Sequence, residues 1–147
     1  MLSAEAATIL LVEDDPGHAR LIEKNLRRAH VDNEIVLVSD GQRALDYVLA
    51  EGDHAGTEPP ELLLILLDLN LPVLNGYQVL ERLKTDERTR RIPVIVVTTA
   101  DDENDVSKCY EFGCNAYITK PVDYAAFSEA IHQLGLFLPI FTIPPRE

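Results

Sequence analysis

The 147 residues, 46% of them hydrophobic, are enough for one domain whose core needs no disulfide or metal staple. Thirteen basic residues against twenty-five acidic ones leave a formal charge of −12, which repels nucleic-acid phosphates and anionic membrane surfaces. The longest uninterrupted apolar run, Leu62–Leu67, is far too short to span a membrane, and residues 1–7 lack the basic and apolar regions of a signal peptide, so a cytoplasmic protein is expected.

In chain order, Thr8–Val12 is short, apolar and rich in strand formers, and Asp15-Pro16 then reads as a helix cap with proline at the first helical position. Ala19, Ile22 and Leu26 recur at helical spacing in this first helix, which ends near Ala29, and residues 34–38 form a second strand. Ser39-Asp40-Gly41 opens a second helix carrying Ala44, Leu45, Val48 and Leu49. Residues 51–60, punctuated by Gly52, Gly56, Pro59 and Pro60, make the longest loop.

Leu62–Leu67 is apolar at every position, as a central strand covered by helices on both faces should be. Asn75 caps the next helix, with Val79, Leu80 and Leu83 on its inner face. The β-branched residues 94–97 form a fourth strand ending in Thr98 and Thr99. Asp101 or Asp102 caps a helix that stops at Gly113. Residues 116–118 are a fifth strand running into Lys120-Pro121, and Asp123 caps a last helix with Phe127, Ala130, Ile131 and Leu134 on one face. Five alternations of strand and helix predict an α/β fold, a doubly wound parallel sheet with helices on both faces. Such sheets bind ligands beyond the carboxyl ends of their strands, where Glu13, Asp14, Asp68, Thr98 and Lys120 all fall.

An aspartate after a strand is ordinarily a turn former or a cap, so Asp68 alone carries little. Three carboxylates converging from two strand ends, however, raise one another's proton affinity unless a cation neutralises them. An oxygen-only ligand set with no His or Cys in the pattern favours Mg2+. Asp14 and Asp68 are assigned as direct ligands and Glu13 as a water-mediated one. Asp15 is left as the helix cap. Lys120 supplies an ammonium and Thr98 a hydroxyl, and a carboxylate nucleophile beside a metal and two donors suits phosphoryl transfer to Asp68. His18, His30, His54 and His132 are scattered and are assigned to the surface, and Cys109 and Cys114 read as free thiols.

Glu13-Asp14, Asp68 with Pro72 and Gly76, Thr98, and Lys120-Pro121 together resemble the receiver domain of two-component response regulators, over about residues 8–134. The resemblance implies a flavodoxin-like sheet of order 2-1-3-4-5, phosphorylation of Asp68 by a sensor histidine kinase, and the backbone carbonyl of Asn70 as a further metal ligand. It implies a cis Lys120–Pro121 bond and a switch formed by Thr98 and Tyr117. Glu13 departs from the aspartate of many relatives, and its longer arm still permits coordination through water.

Residues 135–147 form a C-terminal extension in which Leu136, Phe137, Leu138, Ile140, Phe141 and Ile143 cluster around Pro139, which forbids one unbroken helix. The sequence carries no output domain after this extension, so signalling is expected to pass through protein contacts. The arm resembles that of stand-alone response regulators paired with bacterial phytochromes, which implies such a kinase as the partner and a two-fold homodimer, in preference to an arm folded back on its own domain. Two other functions fit the residues less well. A haloacid-dehalogenase-type phosphatase needs a second aspartate two residues after the nucleophile, where this chain has Asn70. A scaffold without phosphorylation would have no use for the complete acceptor site.

Overall fold

The computed structural model describes residues 7–121 and 123–138. Among them, five strands and five helices alternate: β1 Thr8–Val12, α1 Pro16–Arg28, β2 Ile35–Val38, α2 Gly41–Leu49, β3 Leu62–Leu67, α3 Gly76–Thr85, β4 Val94–Thr98, α4 Glu103–Glu111, β5 Ala116–Thr119 and α5 Tyr124–Phe137. The strands form one parallel sheet of order β2-β1-β3-β4-β5, the flavodoxin-like arrangement. Each helix begins at a side-chain cap: Asp15, Asp40, Asn75, Asp102 and Asp123 accept hydrogen bonds from backbone N–H groups of the first turn. At α3 the capping is reciprocal, because Gln78 also accepts from the Asn75 backbone N–H.

The strand side chains alternate between two cores. Leu10 and Val12 of β1, and Val94 and Val96 of β4, pack with α2, α3 and Cys109 of α4. Ile9 and Leu11, and Ile95 and Val97, pack on the other face with Ala19, Ile22 and Leu26 of α1 and Phe127 and Ile131 of α5. β3 breaks the alternation once. Thr8 pairs with Leu62 but Ile9 with Leu64, so Leu63 is an extra residue, and Leu63 and Leu64 both join the α1/α5 core. All six residues of β3 are nonetheless buried, which accounts for the unbroken apolar run.

The loops refine the expected outline. The long connection after α2 contains a short 3-10 turn, Gly52–His54, closed by the His54 N–H on the Glu51 carbonyl at 2.9 Å. The His54 ring meets Tyr47 edge-on at 5.5 Å. α4 ends shortly before Gly113, whose φ of 102° lies in the left-handed region expected of a glycine terminus. α5 runs past residue 134 to Phe137, so Leu136 and Phe137 of the extension are helical and exposed, whereas Leu138 is buried. Ile140, Phe141 and Ile143 lie outside the described residues.

Past α3, Asp86 accepts from the backbone N–H and the guanidinium of Arg88. The Arg88 side-chain bonds hold its carboxyl down at about 2. A depressed acid contributes stability above its unfolded value and loses it as pH falls toward the folded one. Because Arg88 is exposed and solvent-screened, the contribution is about 1 kcal/mol at neutral pH. Thermal unfolding of Asp86→Asn should therefore lie below wild type at pH 7 and converge on it as pH approaches 2. A constant gap across that range would exclude the ion pair as the cause.

Candidate phosphoacceptor site

Parallel hydrogen bonding carries the site residues to one edge. The ladder continues one residue past the strands: Glu13 N–H donates to Val38 O at 3.0 Å, Asp68 N–H to Val12 O at 3.1 Å, and Lys120 N–H to Thr98 O at 2.6 Å. The ends of β1, β3, β4 and β5 are thereby in line. Gly76 fixes the path of the chain after β3, because a Cβ there would stand 2.3 Å from the Asp68 carbonyl and 2.5 Å from Leu69 Cα. Only glycine lets α3 start this close to the backbone of the acidic residue. The Gly76 N–H donates to Leu69 O at 2.9 Å and closes the turn.

Carboxylate oxygens of Glu13, Asp14 and Asp68 lie within 4.8 Å of one another, with Glu13 and Asp68 buried and Asp14 exposed. This all-oxygen set, open on its Asp14 side, fits a hard divalent cation. The Lys120 ammonium is buried and donates to Glu13 Oε1 and, at 3.0 Å, to Asp68 Oδ2. Asp68 Oδ1 accepts the Asn70 backbone N–H at 3.1 Å. Burial raises the proton affinity of Asp68, but the Lys120 charge, the Asn70 N–H, the Thr98 hydroxyl and the Lys120 hydrogen bond together hold its carboxyl below the ordinary value. Burial instead wins at Glu13, which lies above its ordinary value despite Lys120, with Asp68 adding to the rise. Two buried carboxylates share one ammonium, and the balance of burial and donors favours the charged form at Asp68 more than at Glu13.

Asp15 does as expected for a cap, accepting from the Gly17 and His18 N–H groups at 2.9 and 3.1 Å. Thr98 is fully buried at the end of β4. Tyr117 is half-buried on β5 and donates to the Ala100 carbonyl at 2.5 Å, tying β5 to the loop after Thr98. Among the described residues there is no cis peptide bond, so the expectation for Lys120–Pro121 is corrected: the bond is trans. The ammonium reaches the carboxylates in this form, so its inward aim does not need the cis isomer.

One assignment to the surface is also corrected. His18 lies at the site, half-buried, with Nδ1 3.0 Å from Lys120 Nζ and its ring edge-on to Phe127 at 5.9 Å. The sequence signal was its place in the first turn after the acidic pair, where α1 starts above the strand ends. His30 is exposed and the two free thiols are buried, as expected.

The response regulator receiver domain model matches residues 9–132. The chain belongs to that family, whose members are phosphoacceptors in two-component signalling. It is 40% identical over 112 residues to response regulator Rcp1 of Synechocystis, covering 76% of this chain and 75% of Rcp1. A receiver domain from Rhodospirillum rubrum superposes with a TM-score of 0.86 at 48% identity, covering 96% of this chain and 99% of that one. The phosphorylated cyanobacterial phytochrome response regulator RcpA superposes with a TM-score of 0.86 at 38% identity, covering 95% and 99%. Among the described residues no helix is long and apolar enough to cross a membrane.

Proposed function

We propose that Asp68 accepts a phosphoryl group from a phosphohistidine of a sensor histidine kinase. A carboxylate oxygen of Asp68 forms the O–P bond as the P–N bond breaks, and the electron pair leaves with the donor imidazole. The observation that carries this reading is the Lys120 ammonium held on Asp68 beside Glu13 and Asp14, which keeps the acceptor ionised at the mouth of a cation-sized acidic cluster. Asp14, Asp68 and the Asn70 carbonyl would hold Mg2+ directly and Glu13 through water. The ion, when bound, neutralises charge on the transferred group. A Mn2+-bound form of Rcp1 and a magnesium-bound receiver domain of the histidine kinase PA1611 support a divalent ion at this position. Lys120 and Thr98 face the same group as donors, and Thr98 with Tyr117 reports its arrival to the loop after β4. Incubation with magnesium and acetyl phosphate tests the reading, and absence of phosphate incorporation would sink it.

The similarity to Rcp1 and to the phytochrome regulator RcpA supports a bacterial phytochrome as the kinase. We read residues 1–134 as the receiver and 135–147 as a dimerisation arm of a cytoplasmic protein that signals through protein contacts rather than by catalysing a reaction on another substrate. Leu136 and Phe137, 56% and 59% exposed at the end of α5, support a second copy as the arm's partner. Light scattering should give a dimer for the full chain and a monomer for a chain lacking residues 137–147. An unchanged mass would remove the arm from the interface.

A further inference from the structure

A lysine ammonium carries three N–H donors and no acceptor. The Lys120 side chain is only 3% exposed, so protein atoms must complete its shell. Two of its partners are the carboxylates of Glu13 and Asp68, and the third is His18 Nδ1 at 3.0 Å. Because Lys120 can only donate, Nδ1 must accept, which places the imidazole proton on Nε2. The ring is held for this by the first turn of α1, by a T-shaped contact with Phe127 at 5.9 Å between centroids and by the tilted ring of Tyr124 at 6.5 Å.

We propose that His18 is a positioning residue for phosphoryl acceptance, holding the Lys120 ammonium over Asp68 through its neutral Nδ1. The three acceptors come from the end of β1, the end of β3 and α1, so the nitrogen is fixed from three directions. The neutrality of the third is the point of the arrangement. A carboxylate there would cancel the positive charge that the incoming phosphoryl oxygens need, whereas an imidazole nitrogen orients the ammonium and leaves its charge available. As Lys120 turns N–H groups from the carboxylates toward those oxygens, His18 keeps hold of it. Without His18 one buried donor is unsatisfied and the ammonium settles on Glu13, the partner already bonded to it in competition with Asp68.

This rests on Asp68 as the acceptor, and the test separates the two. His18→Leu should slow phosphorylation by acetyl phosphate about ten-fold at saturating donor, as expected for loss of one hydrogen bond to a charged group, with the half-saturating concentration unchanged. His18→Asn, whose side-chain carbonyl can stand in for Nδ1, should recover most of the rate. In NMR spectra at neutral pH the wild-type Lys120 ammonium should give a slowly exchanging signal, lost in His18→Leu and retained in His18→Asn, and the His18 ring should show its proton on Nε2. Equal rates in wild type and His18→Leu, equally slow rates in both variants, or a wild-type His18 protonated at Nδ1 would each overturn the proposal. The last measurement needs no variant to fold. If wild type takes up no phosphoryl group, the reading of Asp68 fails while the NMR signals still decide whether His18 holds Lys120.

Discussion

Asp68→Asn should abolish phosphate incorporation from acetyl phosphate in the presence of magnesium, while wild type acquires an acid-stable, hydroxylamine-labile phosphate. The amide is nearly the same shape and can keep the Asn70 N–H bond, so the fold should survive. What it loses is the charge: an amide oxygen is a poor nucleophile, and it no longer draws the Lys120 ammonium. The loss is one of chemistry, which circular dichroism and thermal unfolding of the variant should show as an intact domain. Retention of the labile phosphate in Asp68→Asn would move the acceptor elsewhere, with Asp14, the exposed member of the cluster, the next to replace.

Lys120→Met should produce the largest combined loss of stability and activity. Methionine keeps most of the stem volume but leaves the buried carboxylates of Glu13 and Asp68 facing one another without their cation. Removing one partner of a buried ion pair costs about 3 kcal/mol or more, because the remaining charges are neither solvated nor paired. Urea unfolding at neutral pH should register that loss. Magnesium should then restore part of it, since an ion held by Glu13, Asp14 and Asp68 replaces the missing positive charge on the same oxygens. Phosphorylation should fall by about two orders of magnitude, in the range found when one donor to developing negative charge is removed. A variant as stable as wild type, and indifferent to magnesium, would show that the carboxylates are not held as the structure has them.

The alternation of five strands with five helices was legible because each element carries its own local signal. β3 is apolar throughout because both of its faces are covered, and each helix announces itself with an aspartate or asparagine whose side chain meets the first-turn N–H groups. The acidic residues were legible for a related reason: parallel pairing puts strand ends in register, so residues just beyond the strands must share an edge. What could not be read depends on distant segments. His18 and Lys120 are 102 positions apart, and although the first turn of α1 starts above the strand ends, only the packing of β5 and α5 brings the ammonium to its third residue. The extra residue at Leu63 is hidden because all its neighbours are apolar, and a run of leucines looks the same in either register. Tyr77 of α3 donates to Asp105 of α4, with the Lys108 ammonium 4.4 Å from its ring centroid, a bridge between helices that helical periodicity alone does not reveal.

The bond from Lys120 to Glu13 joins positions 107 residues apart in a chain of 147. Contacts of such separation are the most costly in chain entropy and are made only as the structure closes. During synthesis, the first carboxylates leave the ribosome long before their ammonium, and β3 and β4 must be inserted between them before the two can meet. A chain that is incomplete or partly unfolded therefore presents Asp68 without the ammonium that the folded site sets beside it. Competence to take the phosphoryl group thus doubles as proof of assembly: only a protein with its sheet finished can enter the relay.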